Sequence, residues 1–292
     1  MRAHALISRL TLAFAMAAAL TLSLVSRASA FTDDRDVRRY VAFGGSCAQC
    51  ELSGRRMAGA RFMGANFAGA MMVGADLQGA SFLGSNFAGA NLTRANLSGA
   101  SMTGANFSQA NFLEANLTGL TAPGAIFANA SLAGATLTGA NLQGSILMRA
   151  ILTRISARGA NFAGAILAAT DSREADFAQA QLVGANLAGG RFERTSFRGA
   201  ALTGATLSGG AFAGANFTSA DLARANLDGA DLSEARGLTQ DQIDAACSTA
   251  TTRLPAGLTG RACRGTVGVV IRRFQVPAAQ SPRNWVAIFM AQ

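Results

Sequence analysis

The residues best equipped for chemistry in this chain are four cysteines: Cys47 and Cys50, separated by two residues, and Cys247 and Cys263 far downstream. A Cys-x-x-Cys pair can serve as a redox dithiol, supply half of a zinc site, or close as a structural disulfide. A redox pair works best beside a base that stabilises the thiolate, and a zinc site needs further ligands. The sole His is His4 and there is no Lys, so every positive side chain is Arg. The acids are scattered. No nucleophile, general base and orienting group fall together, and no phosphate-binding loop is present. The expectation is a protein that is not an enzyme, with no cofactor, no metal site and a structural role for the cysteines.

What positions these cysteines is a long periodic stretch. From Leu52 to Leu232 a Leu, Phe or Met falls at nearly every fifth residue, and 180 residues make 36 steps, hence 37 units without an insertion or deletion. Typical units read Ala65-Asn66-Phe67-Ala68-Gly69 and Ala225-Asn226-Leu227-Asp228-Gly229. A period of five fits neither the 3.6 of a helix nor the 2 of a strand. It fits a chain that makes one short extended side and then turns. The large residue points in, the small Ala lies beside it, and Gly permits the turn.

On these units the stretch resembles the pentapeptide repeat family, whose consensus is Ala, Asp or Asn, Leu and two freer residues. The resemblance implies an all-β fold, a right-handed quadrilateral β-helix with four units, hence 20 residues, per coil. With short helical caps at its ends, the array would be a rod of about nine coils, roughly 40–45 Å long at the usual strand spacing.

Four internal columns follow from that geometry. One reads Phe67, Phe87, Phe107, Phe127 and then turns to Leu147 and Leu167. Exceptions occur in pairs. The large position is small at Ala122 and Ala157, and the normally small position two residues earlier is large, at Leu120 and Ile155. Volume lost at one inward site is restored at its neighbour, as close packing requires. Thr170 before Ser172 is a weaker instance. Leu120 and Ile155 should therefore be buried.

The same spacing orders the outside. One column carries Arg94, Glu114, Arg154, Glu174, Arg194 and Glu234, an alternation expected to form a solvated ladder of ion pairs, with Arg173 and Glu193 as another pair. In a second column Asn66, Asn86 and Asn106 give way to Ile126, Ile146 and Ile166 before Asn186 returns, with Met148 nearby. Those three Ile and Met148 are the candidate interaction strip.

The ends differ from the array. Residues 1–30 have the form of a secretory signal peptide, with Arg2 and Arg9, an apolar run from Leu10 to Val25, and Ala28-Ser29-Ala30 before a mature start at Phe31. Residues 31–46 are a lead-in, with a capping helix from Thr32 through Phe43. Residues 47–236 form the array. Residues 237–265 form a capping segment, in which Thr239 and Gln242 make a capping box flanked by Leu238 and Ile243, with a helix to about Cys247. Residues 266–292 are a basic and apolar tail whose contacts would run through Arg272, Arg273 and Arg283, with Arg264 just ahead of them. Cys47 and Cys50 lie at one end of the rod and Cys247 and Cys263 at the other, so two local disulfides are the economical assignment.

Charge bears on partners. The net charge is +9, yet residues 51–235 carry 12 Arg against 11 acids, so the basicity is mostly terminal. The expected function is a non-catalytic, exported structural or protein-interaction scaffold of the bacterial envelope, periplasmic or secreted. Its partner would be a protein or envelope component or a second copy, with no nucleic acid and no transmembrane span after signal cleavage. The alternative implied by the resemblance is a DNA-mimic that binds a topoisomerase. That role needs an acidic surface and a cytoplasmic address.

Overall fold

The computed structural model describes residues 41–262. The signal segment 1–30, most of the lead-in, Cys263, Arg264 and the tail with Arg272, Arg273 and Arg283 lie outside them. The described chain winds as a stack of four-sided coils. Every outward residue ahead of an inward side chain bridges in parallel to the residue 20 further on, from Ser46↔Asn66 to Asn216↔Arg236, and Phe43↔Met63 adds a bridge at the position after the inward one. Among the described residues, only at β1 (Arg61–Met63) and β2 (Ser81–Leu83) does a side extend to three paired residues, in the register Arg61↔Ser81, Phe62↔Phe82 and Met63↔Leu83.

Backbone groups are satisfied coil to coil. Leu52 N donates to Met71 O at 2.7 Å, Gly54 N to Val73 O at 2.8 Å, and Asn66 N to Gly45 O at 2.9 Å. Most corners are turns closed by a local bond such as Ala70 N to Phe67 O at 3.0 Å, whereas at Gly64 the next N–H, that of Ala65, donates to Ser85 Oγ at 3.2 Å. The residue before the closing donor has positive φ, 65° at Gly69. That conformation suits Gly, which lacks the Cβ that clashes there. Arg94, Glu114, Arg154, Glu174 and Arg194 occupy the same corner position with φ of 55–59°. Their side chains therefore carry a backbone cost of about 1–2 kcal/mol each relative to ordinary conformations.

The core is the set of inward columns. Phe67, Phe87, Phe107 and Phe127 stack with ring centroids 4.9–5.0 Å apart, and Phe62 and Phe82 stack beside them at 5.1 Å. Neighbouring columns meet edge to face, as Phe82 meets Phe87 at 5.0 Å and 82°. Leu120, Ala122, Ile155 and Ala157 are all buried, as the paired volume exchange requires. At the third exception the core turns polar: Ser172 Oγ donates to Thr170 Oγ1 at 3.1 Å, and Thr195 Oγ1 donates to the Ser172 carbonyl at 2.7 Å.

Two boundaries differ from the sequence reading. Phe43, the expected last residue of the capping helix, is already bridged to Met63, and Gly44 N donates to Met63 O; residues 32–40 of that expected helix lie outside the described residues. The expected helix end at Phe43 lies too far along, because the ladder recruits the chain as soon as a partner coil is in reach. At the other end the array does not stop at 236. After α1 (Gln240–Ala245) the chain rejoins the ladder through Asn226↔Cys247 and Asp231↔Arg253. The offset grows there from 20 to 21 and then 22 residues, since 247 − 226 = 21 and 253 − 231 = 22. Consequently α1 ends before Cys247, short of its expected limit.

The capping box forms as expected. Gln242 N donates to Thr239 Oγ1 at 3.3 Å and Thr239 N to Gln242 Oε1 at 2.8 Å. Gln242 Nε2 then reaches two carbonyls of the last full coil, Phe217 O at 3.0 Å and Ala220 O at 2.8 Å. Ile243 is buried and Leu238 packs partly buried on the core.

Candidate functional site: the outer walls of the rod

Because the inward positions of the array are filled, any contact the array makes runs through its outer walls. The Asn positions show what those walls normally do. Asn86 Nδ2 donates to Asn66 Oδ1 at 3.2 Å, and Asn106 Nδ2 to Asn86 Oδ1 at 3.3 Å. Each Asn oxygen also accepts the backbone N–H two residues on, as Ala68 N to Asn66 Oδ1 at 3.1 Å. One amide side chain thus ties its own turn and the adjoining coil together, which gives the Asn preference a physical cause.

Ile126, Ile146 and Ile166 interrupt this network. They bridge one another in register, between Asn106 and Asn186. Each is partly exposed, and Met148 beside them is 41% exposed. Ile offers no acceptor to the turn N–H and no amide to the next coil. The candidate strip is therefore a continuous apolar patch on one wall, and it exists at the expense of a local hydrogen-bond pattern.

A second apolar column escaped the sequence reading. Phe43, Met63 and Leu83 follow one another up one wall and are all exposed, Phe43 to 86%. Its signal was the position one residue after the inward one, which holds a large apolar side chain in three consecutive coils. The unit consensus leaves that position free, and Phe43 falls at the end of the expected capping helix.

The charged column takes the expected course in part. Arg94 pairs with Glu114 at 3.6 Å and Arg194 with Glu174 at 3.9 Å. The expected Arg173–Glu193 ion pair is replaced by pairs within each unit, Arg173 with Asp171 at 2.6 Å and Arg191 with Glu193 at 3.4 Å. A partner two residues away on the same side is nearer than one on the next coil. The Arg173 hydrogen bond holds the Asp171 carboxyl below its usual range, and Asp171 in turn raises the Arg173 guanidinium. Arg173, Glu174, Arg191, Glu193, Arg194 and Glu234 line a shallow groove on this wall.

At the N-terminal end Cys47 and Cys50 form a disulfide, with their Cα atoms 5.2 Å apart. Cys47 is buried and Cys50 packs partly buried against the core. The pair is a cross-link within the first turn rather than half of a metal site. Cys247 is also disulfide-bonded, and its expected partner Cys263 lies outside the described residues. Among the described residues no helix is long and apolar enough to cross a membrane, and no group of three His, Cys, Asp or Glu side chains could hold a metal ion.

A four-sided stack of five-residue units with Ala and Leu or Phe inside defines a right-handed β-helix of pentapeptide repeats. The model of that family, Pentapeptide repeats, matches in eight copies over residues 46–84, 85–121, 123–154, 158–194, 175–218 and 195–233. The chain belongs to the pentapeptide repeat family. Solved structures similar to it include HetL, a pentapeptide repeat protein involved in heterocyst differentiation regulation from the cyanobacterium Nostoc sp. strain PCC 7120. The identity is 23% over 68% of this chain and 97% of that one, with a TM-score of 0.41. QnrB1, a plasmid-mediated fluoroquinolone resistance protein, is 20% identical over 68% of this chain and 91% of its own, with a TM-score of 0.37. A pentapeptide repeat protein of the Arabidopsis thaliana thylakoid lumen is 34% identical over 36% of this chain and 66% of that one, with a TM-score of 0.21. Comparison with curated proteins gives no match.

Proposed function

We propose that the protein is a non-catalytic interaction scaffold, exported to the bacterial envelope, whose partner docks on the wall of Ile126, Ile146, Ile166 and Met148. The observation that carries this reading is the interruption of the Asn network. Three coils give up the side-chain bonds that Asn66, Asn86 and Asn106 make, and place partly exposed Ile there instead. Apolar side chains stacked on an outer wall suit burial against another protein. Export is supported by the charged, apolar and small-residue order of residues 1–30. The DNA-mimic reading is opposed by charge, since a near-neutral array with Arg along one wall does not imitate a polyanion.

The test is crosslinking in the native envelope, with mass spectrometry of the captured proteins, for the parent, an Ile146→Glu variant and a chain ending at Gly265. Loss of a specific partner from Ile146→Glu, with the rod still folded by circular dichroism, supports the wall as the contact. The truncation separates contacts made by the tail. An unchanged set of captured proteins in Ile146→Glu refutes the proposal. Recovery in the cytoplasm with residues 1–30 intact refutes export.

A further inference from the structure

The charged column on a different wall has an order that pairing within one rod does not account for. Its charged members are Arg94, Glu114, Arg154, Glu174, Arg194 and Glu234, one per coil. Gly134 and Gly214 fill the two remaining places. From bottom to top the signs run plus, minus, neutral, plus, minus, plus, neutral, minus. Reversed in direction, the column presents an opposite charge or a neutral residue at every place and never a like charge.

From this we infer that the wall is a self-complementary surface on which a second copy of the chain lies antiparallel, about a twofold axis midway between the coils of Arg154 and Glu174. Under that symmetry Arg154 faces Glu174 of the second copy, and Arg94 faces its Glu234. Glu114 faces Gly214, and Arg194 faces Gly134. Each contact occurs twice, as a twofold axis requires. The ridge spans seven coil steps, roughly 34 Å at about 4.8 Å per step.

Three observations favour a second copy as the occupant. Arg154 and Glu234 are exposed and have no ion pair among the described residues, whereas the other four members are paired within the rod. Both therefore hold unused charge toward a facing surface. Five of the six side chains, all but Glu234, stand on corners of positive φ, where Gly would be the relaxed choice, so charge is kept there against a backbone cost. The same wall carries exposed Leu113 and Ile151, which supply apolar contact beside the ridge. Exposed ion pairs contribute little singly. A row of them set by one symmetry axis fixes register and orientation, and makes association dependent on salt.

Sedimentation velocity of the purified full chain reads the association directly. A dimer is expected at low salt, weakened at least tenfold near about 1 M salt, where the screening length falls to about 3 Å. Arg154→Glu should abolish the dimer. The double variant Arg154→Glu with Glu174→Arg, which restores the complementary order across the axis, should recover it. Orientation is read by a short bismaleimide. Thr153→Cys lies one coil step from its copy across the axis and should crosslink, while Ser233→Cys, seven steps away, should not. A monomer under all conditions, a dimer indifferent to salt or to Arg154→Glu, failure of the double variant to recover it, or equal crosslinking at both cysteines would each overturn the inference. Circular dichroism of the variants separates loss of the dimer from loss of the fold.

Discussion

Leu120 and Ala122 exchange the sizes that neighbouring units assign the other way round, and both are fully buried. The turn that leads into them and the bond to the next coil are unchanged: Leu120 N donates to Leu117 O at 3.1 Å, and Asn141 N to Leu120 O at 2.7 Å. The backbone is thus indifferent to which of the two inward sites is large, provided their sum is kept. Leu120→Ala alone should cost about 2–5 kcal/mol, as for other buried Leu truncations. Leu120→Ala with Ala122→Leu should recover most of that loss, because the pair shares one volume. Urea unfolding of the two single variants and the double variant measures the coupling.

The corner positions give a conformational prediction free of packing. A Cβ added at Gly164 meets nothing within 4 Å, yet its φ is 65°. Gly164→Ala should therefore destabilise by about 1–2 kcal/mol through backbone strain alone. At Ala169, where φ is 57°, the reverse change to Gly should stabilise by about 0.5–1 kcal/mol. Thermal unfolding of the two variants side by side checks the opposite signs.

Gln242 closes both the helix and the coil stack. Gln242→Ala removes one half of the capping box and leaves two carbonyls of the last full coil without their side-chain donor. A loss of about 1–3 kcal/mol is expected. Gln242→Glu keeps the acceptor for Thr239 N but cannot donate to Phe217 and Ala220, so it should recover only the helix part. Amide exchange at the last coils distinguishes the two contributions.

Replacing Ile126, Ile146 and Ile166 together by Asn extends the amide column through the apolar wall. The rod should melt at the same temperature or higher, and the partner captured in the envelope should be lost. A variant that keeps its partner at full yield, or that unfolds, contradicts the role given to this wall.

Four carboxylates set an acid limit. Glu51, Asp171, Asp221 and Asp231 are each held below their usual values, first of all by side-chain hydrogen bonds from Ser53, Arg173, Thr203 and Ser233 respectively. A carboxyl depressed in the folded state stabilises that state above the unfolded value. The stabilisation is lost as pH falls through the folded one, because the unfolded chain binds protons first. The melting temperature should hold between pH 7 and 5 and decline below about pH 4, where unfolded Asp and Glu begin to take up protons. Scanning calorimetry across that range reads the effect, and Asp171→Asn should make the decline shallower.

The core was legible because the period is rigid. Once Phe67 and Leu77 point inward, every fifth residue does, and even the exceptions at Ala122 and Ala157 name their own compensation. Outer contacts were less legible. A period of 20 identifies vertical neighbours such as Arg94 and Glu114, which do pair, but it ranks Arg173 with Glu193 when Asp171 is closer along the chain. The exposed Phe43, Met63 and Leu83 went unread because a unit consensus treats their position as free. The cap was legible as a helix start at Thr239. Its return to the ladder at Cys247 was not, since an offset of 21 leaves no periodic trace in sequence.

The constant offset along the array also bears on how fast such a rod can fold. Every bridge from Phe43↔Met63 to Asn216↔Arg236 joins residues 20 apart, whatever their place in the chain. Lengthening the array adds coils but no contact of greater sequence separation, so relative contact order falls as the rod grows. Sheet proteins ordinarily fold slowly because distant strands must first find one another. Here each completed coil is the template for the next, and the search repeats over the same short span. The rate-limiting event is then formation of the first pair of coils, and propagation from them proceeds by nearest-neighbour steps.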